Sequence, residues 1–206
     1  MPDIPADCPD SLSALPLDCR QLIVVTPERT RAAVHLYEFT GGVWREIGRT
    51  ISGYIGAAGV TKHKREGDYA TPLGLYPLGP AFGIREKADT KMPYRRITPE
   101  SYWVDDPLSS QYNQWVEKPG NEKWWRSAEH LIDFPEAYEM ALVIGYNTIS
   151  RIPGRGSAVF LHVGIEPTRG CVAVPRADMQ RIFRWLDPAK NPHILISGKG
   201  ASPALR

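Results

Sequence analysis

The sequence predicts a mainly β (α+β) single domain with one helix near its C-terminus. Three observations carry this prediction. Short runs rich in β-branched and aromatic residues recur along the chain, as in QLIVVTP, ALVIGY and HILIS. Glycine- and proline-rich segments punctuate them. Apolar spacing turns helical only after Pro175, where Ala177, Met179, Ile182, Phe183, Trp185 and Leu186 fall at mixed helical intervals.

Residues 1–20 read as an extended, proline-containing lead-in. Residues 21–27 and 31–39 read as strands, the second alternating Val34 and Leu36 against Ala33, His35 and Tyr37. Thr40-Gly41-Gly42 is a hairpin turn into a strand over 43–51. Residues 52–92 are dense in glycine and turn residues and read as a long, ordered, functional loop. Residues 93–125 hold four of the six tryptophans. These rings either line a groove or cover the small core of an irregular insertion, taken as about 93–130. A short helix interrupted by Pro135 is expected within 127–140, and strands over 141–146, 158–163 and 171–174. Pro175 and Pro188 bracket a helix of about three turns, and residues 193–197 form the closing strand. The domain is therefore expected over 21–200.

Lys plus Arg number 25 and Asp plus Glu 23, a balance that argues against a dedicated nucleic-acid binder. No apolar run approaches the ~18 residues of a membrane helix. The N-terminus is acidic and lacks the basic and apolar regions of a secretory signal. Either the protein is cytoplasmic, or a signal has been removed. Cys8 and Cys19 lie close together in the lead-in while Cys171 is alone. Either they form a disulfide, the reading slightly favoured and one that fits an oxidising compartment, or they are two unrelated reduced cysteines.

The chemistry concentrates in SAVFLHVGIEPTRGCVAVP, residues 157–175. His162 ends an apolar run, and Cys171 follows nine residues later behind a glycine. A strand, a turn over 164–170 and a strand would bring imidazole and thiol together. A thiol with an ordinary pKa near 8.5 is mostly protonated at neutral pH and becomes a useful nucleophile beside a base or cation. Gly170 leaves room for an acyl group, and backbone N–H groups at Gly170 and Cys171 are candidate oxyanion donors. No Asp or Asn stands out to orient the imidazole, so a backbone carbonyl at Val163 or Gly164 is expected to do so. On residue types alone, a packing cysteine beside a structural histidine remains an equal reading. A zinc site would need more ligands; His193 and Asp178 are the nearest candidates and their spacing does not support one. No metal and no cofactor are expected.

HVGIEPTRGCVAVP resembles the His…[Ser/Thr]-x-Gly-Cys signature of the YkuD-type L,D-transpeptidases, which act on peptidoglycan. GDYATPLGLY (67–76) is similar to that family's G-x-x-x-T-P-x-G-x-[FY] segment, and WVDDP (103–107) with Tyr112-Asn113 resembles a feature of a proteobacterial subgroup. The resemblance implies a β-sandwich catalytic domain with a C-terminal helix packed on it, Cys171 as nucleophile and His162 as general base. Thr168 takes the place of the family's Ser/Thr. The His-to-Cys spacing is shorter than in most members, and Arg169 stands where many carry His.

The implied reaction is ping-pong acyl transfer within peptidoglycan. Cys171 attacks a carbonyl after an L-centre of a stem peptide, and the thioester is resolved by the side-chain amine of diaminopimelate on another stem. The short loop and the tryptophan-rich insertion favour L-alanine donation and one-to-three crosslinks over three-to-three. Arg169, Thr168, Thr71 and Lys64 are candidate substrate contacts, Lys64 within the basic run Lys62–Arg65. The expected setting is periplasmic cell-wall biogenesis and cell shape, as a monomer whose partners are stem peptides. The rivals are an L,D-carboxypeptidase or endopeptidase, a non-catalytic cell-wall binding module, and a cytoplasmic cysteine hydrolase.

Overall fold

A computed structural model describes residues 15–118 and 124–198. In chain order the strands are β1 (Gln21–Glu28), β2 (Arg31–Thr40), β3 (Val43–Glu46), β4 (Ile51–Tyr54), β5 (Val60–Thr61), β6 (Thr71–Pro72), β7 (Gly74–Gly83) and β8 (Tyr94–Arg96). They continue as β9 (Ser101–Val104), β10 (Gln114–Glu117), β11 (Ala128–His130), β12 (Ala141–Ile144), β13 (Phe160–Val163), β14 (Val172–Val174) and β15 (His193–Ile196). Helix α1 (Arg176–Trp185) lies between β14 and β15.

The large sheet runs β1-β15-β7-β12-β13-β14-β4-β2-β3, and β1 also pairs with β2. That extra pairing closes the ladder, so its strands enclose an interior in a β-sandwich-like shell. Every strand of the closed path contributes to the main core: Ile23 and Val25, Val34 and Leu36, Ile51, Val172 and Val174, Leu161, Leu142 and Ile144, Tyr76 and Leu78, and Ile194 and Ile196. Helix α1 adds Met179, Ile182 and Phe183 to the same core. Its carboxyl end gives way to extended backbone at Leu186, ahead of Pro188. The alternation predicted for β2 appears as a buried Val34 and Leu36 between half-buried neighbours.

Three expectations change. The strand predicted from 43 to 51 is two strands, β3 and β4, because Gly48 takes a φ of +73° between them. The long loop predicted over 52–92 contains β7, a ten-residue strand between β15 and β12. Its glycines and prolines hid an apolar alternation, Tyr76, Leu78 and Phe82, that faces both cores. The helix expected within 127–140 is instead β11 and two single 3₁₀ turns, Leu131–Asp133 and Ala137–Glu139.

The tryptophan-rich insertion forms a three-stranded sheet, β10-β9-β11. Its rings cover a second core rather than line a groove. Trp103, Leu131 and Tyr138 pack with Phe82, Val143 and Phe160 on the outer face of β7, β12 and β13. Trp124 is exposed. Cys19 is buried as a free thiol that donates to the Gln21 carbonyl at 3.3 Å. Cys8, its expected disulfide partner, lies outside the described residues, as does most of the lead-in.

Candidate active site

The segment between His162 and Cys171 does not make a hairpin. Strands β13 and β14 run parallel, with Leu161 opposite Val172 and His162 opposite Ala173. Side chains alternate across a strand. Leu161, Val172 and Val174 therefore enter the main core, while Phe160, His162 and Cys171 share the outer face beneath the insertion. So short a connection between parallel neighbours has to be held from outside. Thr168 N–H donates to the Ile55 carbonyl and Ala57 N–H to the Thr168 carbonyl, tying the loop to the segment after β4.

The Cys171 backbone is fixed on two sides. The Cys171 carbonyl accepts from Thr168 Oγ1 at 2.7 Å and from Thr71 Oγ1 at 3.2 Å. Thr168 Oγ1 also accepts the Gly170 N–H at 3.1 Å. Gly170 sits at φ +139°, and a Cβ there would lie 3.0 Å from the Ala70 carbonyl. Glycine is thus required by the chain behind it, in addition to any space it leaves for substrate.

Two expected substrate contacts are enclosed instead. Thr71 is fully buried, its hydroxyl shared between Gly56 N–H and the Cys171 carbonyl. Lys64 is 6% exposed, ion-paired with Asp68 and donating to the Arg65 carbonyl. It lies under Gly170, where its charge favours the Cys171 thiolate. Neither residue lines the cleft, because the loops around Gly56 and Gly170 close over them.

The thiol rests as a neutral group. Cys171 Sγ donates to the Ala158 carbonyl at 3.3 Å and accepts from Phe160 N–H at 3.4 Å. Burial, reinforced by the charge of Glu129, pushes it up to about 12. Burial also lowers His162 below its ordinary value. The imidazole Nδ1 lies 2.8 Å from the Val163 carbonyl. As a donor there, Nδ1 carries the proton and leaves the Nε2 lone pair open. Tyr138 stands edge-on to this ring, centroids 5.8 Å apart.

A cleft of about 880 Å³ opens over these groups. Cys171, His162, Val163, Gly164, Thr168 and Arg169 line it from the β13–β14 side. Arg169 is exposed and makes no ion pair among the described residues. Glu129 and Tyr138 line it as well. Tyr138 OH donates to Glu129 Oε2 at 2.7 Å, and burial pushes the Glu129 carboxyl up to about 7. The sequence analysis missed both. Only topology brings β11 and the second 3₁₀ turn over the thiol, and a lone carboxylate in a short strand carries no local signal. Among the described residues no group of His, Cys, Asp and Glu could hold a metal ion.

No curated protein matches the chain. Among solved structures, it is similar to the helical cell shape determining protein Pgp2 from Campylobacter jejuni, at 16% identity and a TM-score of 0.49 over 88% of this chain and 49% of that one. The K307A mutant of the same protein gives 15% identity and a TM-score of 0.46, over 88% and 48%. The chain thus spans about half the length of these structures. The YkuD model, described as the L,D-transpeptidase catalytic domain, matches residues 20–195, from the start of the closed sheet to its last strand, and the chain belongs to that family.

Proposed function

We propose that residues 21–200 form a peptidoglycan L,D-transpeptidase domain with Cys171 as nucleophile and His162 as general base. The carrying observation is that a thiol and a neutral imidazole share one face of a parallel strand pair, at the floor of one cleft. In the acylation step Sγ leaves the Ala158 carbonyl, and His162 Nε2 takes its proton as sulfur attacks a stem-peptide carbonyl after an L-centre. Proton removal must accompany attack, because a thiol near 12 supplies almost no free thiolate at neutral pH.

The Cys171 N–H is the principal oxyanion donor in this reading. The Gly170 N–H is already given to Thr168 Oγ1 and serves by fixing the turn. Protonated His162 then returns its proton to the leaving amine, and a thioester remains. A diaminopimelate side-chain amine on a second stem resolves it. Arg169, free at the cleft rim, suits a stem-peptide carboxylate as a bidentate partner. The short 164–170 loop and the covering insertion favour L-alanine as donor residue and one-to-three crosslinks. The setting is the periplasm, in cell-wall biogenesis.

The test is incubation with purified muropeptides, followed by mass spectrometry, beside Cys171→Ala. Crosslinked dimers that vanish in the variant are expected, and their fragmentation names the donor position. Shortened monomers alone would replace transfer by hydrolysis. Identical products from both proteins would overturn the cysteine mechanism.

A further inference from the structure

We infer that Glu129 is the binding site for the ammonium group of an amino-acid acceptor, and that it takes one proton from that ammonium during transfer. The inference rests on the acyl-transfer reading above and adds the residue that recognises the amine.

Glu129, on β11, lines the same cleft as the thiol. One carboxylate oxygen, Oε2, accepts from Tyr138 OH, and Oε1 has no hydrogen-bond partner among the described residues. The charges around it leave an unbalanced negative site. Asp105 adds a like charge, its Oδ1 being buried without a hydrogen-bond partner. Arg169 is the compensating cation; it is exposed and lines the same cleft. A half-buried carboxylate held without a close cation is costly, and an incoming ammonium relieves that cost. The other acidic residues lining the cleft, Asp133, Glu136 and Glu166, are all exposed, where an ion pair gains little. Arg169 and Glu129 thus offer a cation and an anion within one cleft, which fits the carboxylate and ammonium of one amino-acid centre.

Glu129 is also suited to the proton step. Burial holds its carboxyl at about 7, far above an ordinary carboxylate, so it accepts a proton from an ammonium with less loss of driving force. The ammonium gives one proton to Glu129 and becomes a neutral amine. The amine nitrogen attacks the thioester carbonyl, the C–N bond forms and the C–S bond breaks. The second N–H proton passes through His162 to the departing sulfur, which regenerates the thiol.

Equilibrium binding of free meso-diaminopimelate by calorimetry tests the site without turnover. Wild type and Glu166→Gln are expected to bind alike, with Glu129→Gln weaker by about tenfold or more, the value of one charged hydrogen bond. Diaminopimelate acetylated on both amines should bind wild type no better than it binds Glu129→Gln. In the muropeptide reaction Glu129→Gln should accumulate the Cys171 thioester, seen as an intact-mass adduct. Equal binding by wild type and Glu129→Gln, tight binding of the acetylated probe, or no binding by wild type would each overturn the inference. Amine binding without any crosslinked product would instead count against the transferase reading and leave the site standing.

Discussion

The Thr168 hydroxyl donates to the Cys171 carbonyl at 2.7 Å while accepting the Gly170 N–H at 3.1 Å, so one side chain closes the turn that presents Cys171. Thr71 reaches the same carbonyl from the other side. A carbonyl has two lone pairs, and here both are engaged by hydroxyl groups.

Replacing Thr168 by Val keeps the shape and removes both bonds. It strands the N–H of a buried Gly170, which should cost about 1–3 kcal/mol of stability. Thr168→Ser retains the hydroxyl and should lose well under half of that. Urea unfolding of the two variants checks this. Equal losses would show that the methyl group, and not the hydrogen bonds, carries the effect. Crosslinking by Thr168→Val should fall more than its stability alone explains, because the Cys171 N–H is no longer aimed by a fixed turn.

The buried thiol gives stability a specific pH dependence. Cys171 is raised from the ordinary thiol range to about 12, so the folded state keeps a proton that the unfolded chain loses by about pH 9. Stability contributed at this group is therefore constant below pH 9 and falls as pH rises from 9 towards 12. Cys19, raised to about 11, acts in the same direction. Comparison with Cys171→Ala isolates the site: wild type should lose stability relative to the variant across that window. Parallel curves from pH 8 to 11 would show that the thiol is better hydrated than its surroundings indicate.

The legible parts of this chain were those where one residue pattern maps onto one local structure. The β-branched run of β1, the alternation of β2 and the apolar spacing of α1 all specify an element without help from the rest of the fold. Strand β7 was not legible, because Gly74, Pro77, Gly79, Pro80 and Gly83 resemble a loop until neighbouring strands supply their hydrogen bonds. Within the site, His162 and Cys171 stood out by residue type and order. Their parallel relationship did not, since it depends on the long-range anchorage of Thr168 to Ile55 and Ala57. Lys64 and Thr71 looked like substrate contacts beside their motif, yet sequence distance carries no information about which side of Gly170 they occupy. Glu129 gave no signal because its role depends on what β11 is folded against.

Gly170→Ala should be severely damaging for a backbone reason. An L residue is strained at φ +139°, and the new Cβ would meet the Ala70 carbonyl at 3.0 Å. A loss of about 1–3 kcal/mol is expected, with activity falling because the Cys171 N–H rotates with the peptide unit. Gly67→Ala is the matched control: its φ is +70° with open space around it, so it should cost stability without displacing Cys171. Alkylation of Cys171 by iodoacetamide, followed by peptide mass spectrometry, should change in Gly170→Ala and not in Gly67→Ala. Unchanged alkylation in both would remove the argument that Gly170 sets the thiol's position.

The insertion is expected to act on the site through Phe160. This ring is fully buried, with centroids 5.0 Å from Phe82, 4.9 Å from Trp103 and 5.7 Å from Tyr138. Its backbone N–H donates to Cys171 Sγ, and Tyr138 in turn stands against His162. Truncating such a ring leaves a cavity that rigid neighbours fill only in part, so Phe160→Ala should cost about 3–5 kcal/mol. Phe160→Leu, which keeps most of the volume, should cost less. A loosened core admits water beside the thiol and weakens the desolvation that holds it at about 12. Iodoacetamide should therefore alkylate Cys171 faster in Phe160→Leu than in wild type at pH 8, while the global fold persists by circular dichroism. Equal rates would mean that Glu129 and the loop over Gly170, rather than the aromatic core beneath β13, keep the thiol protonated.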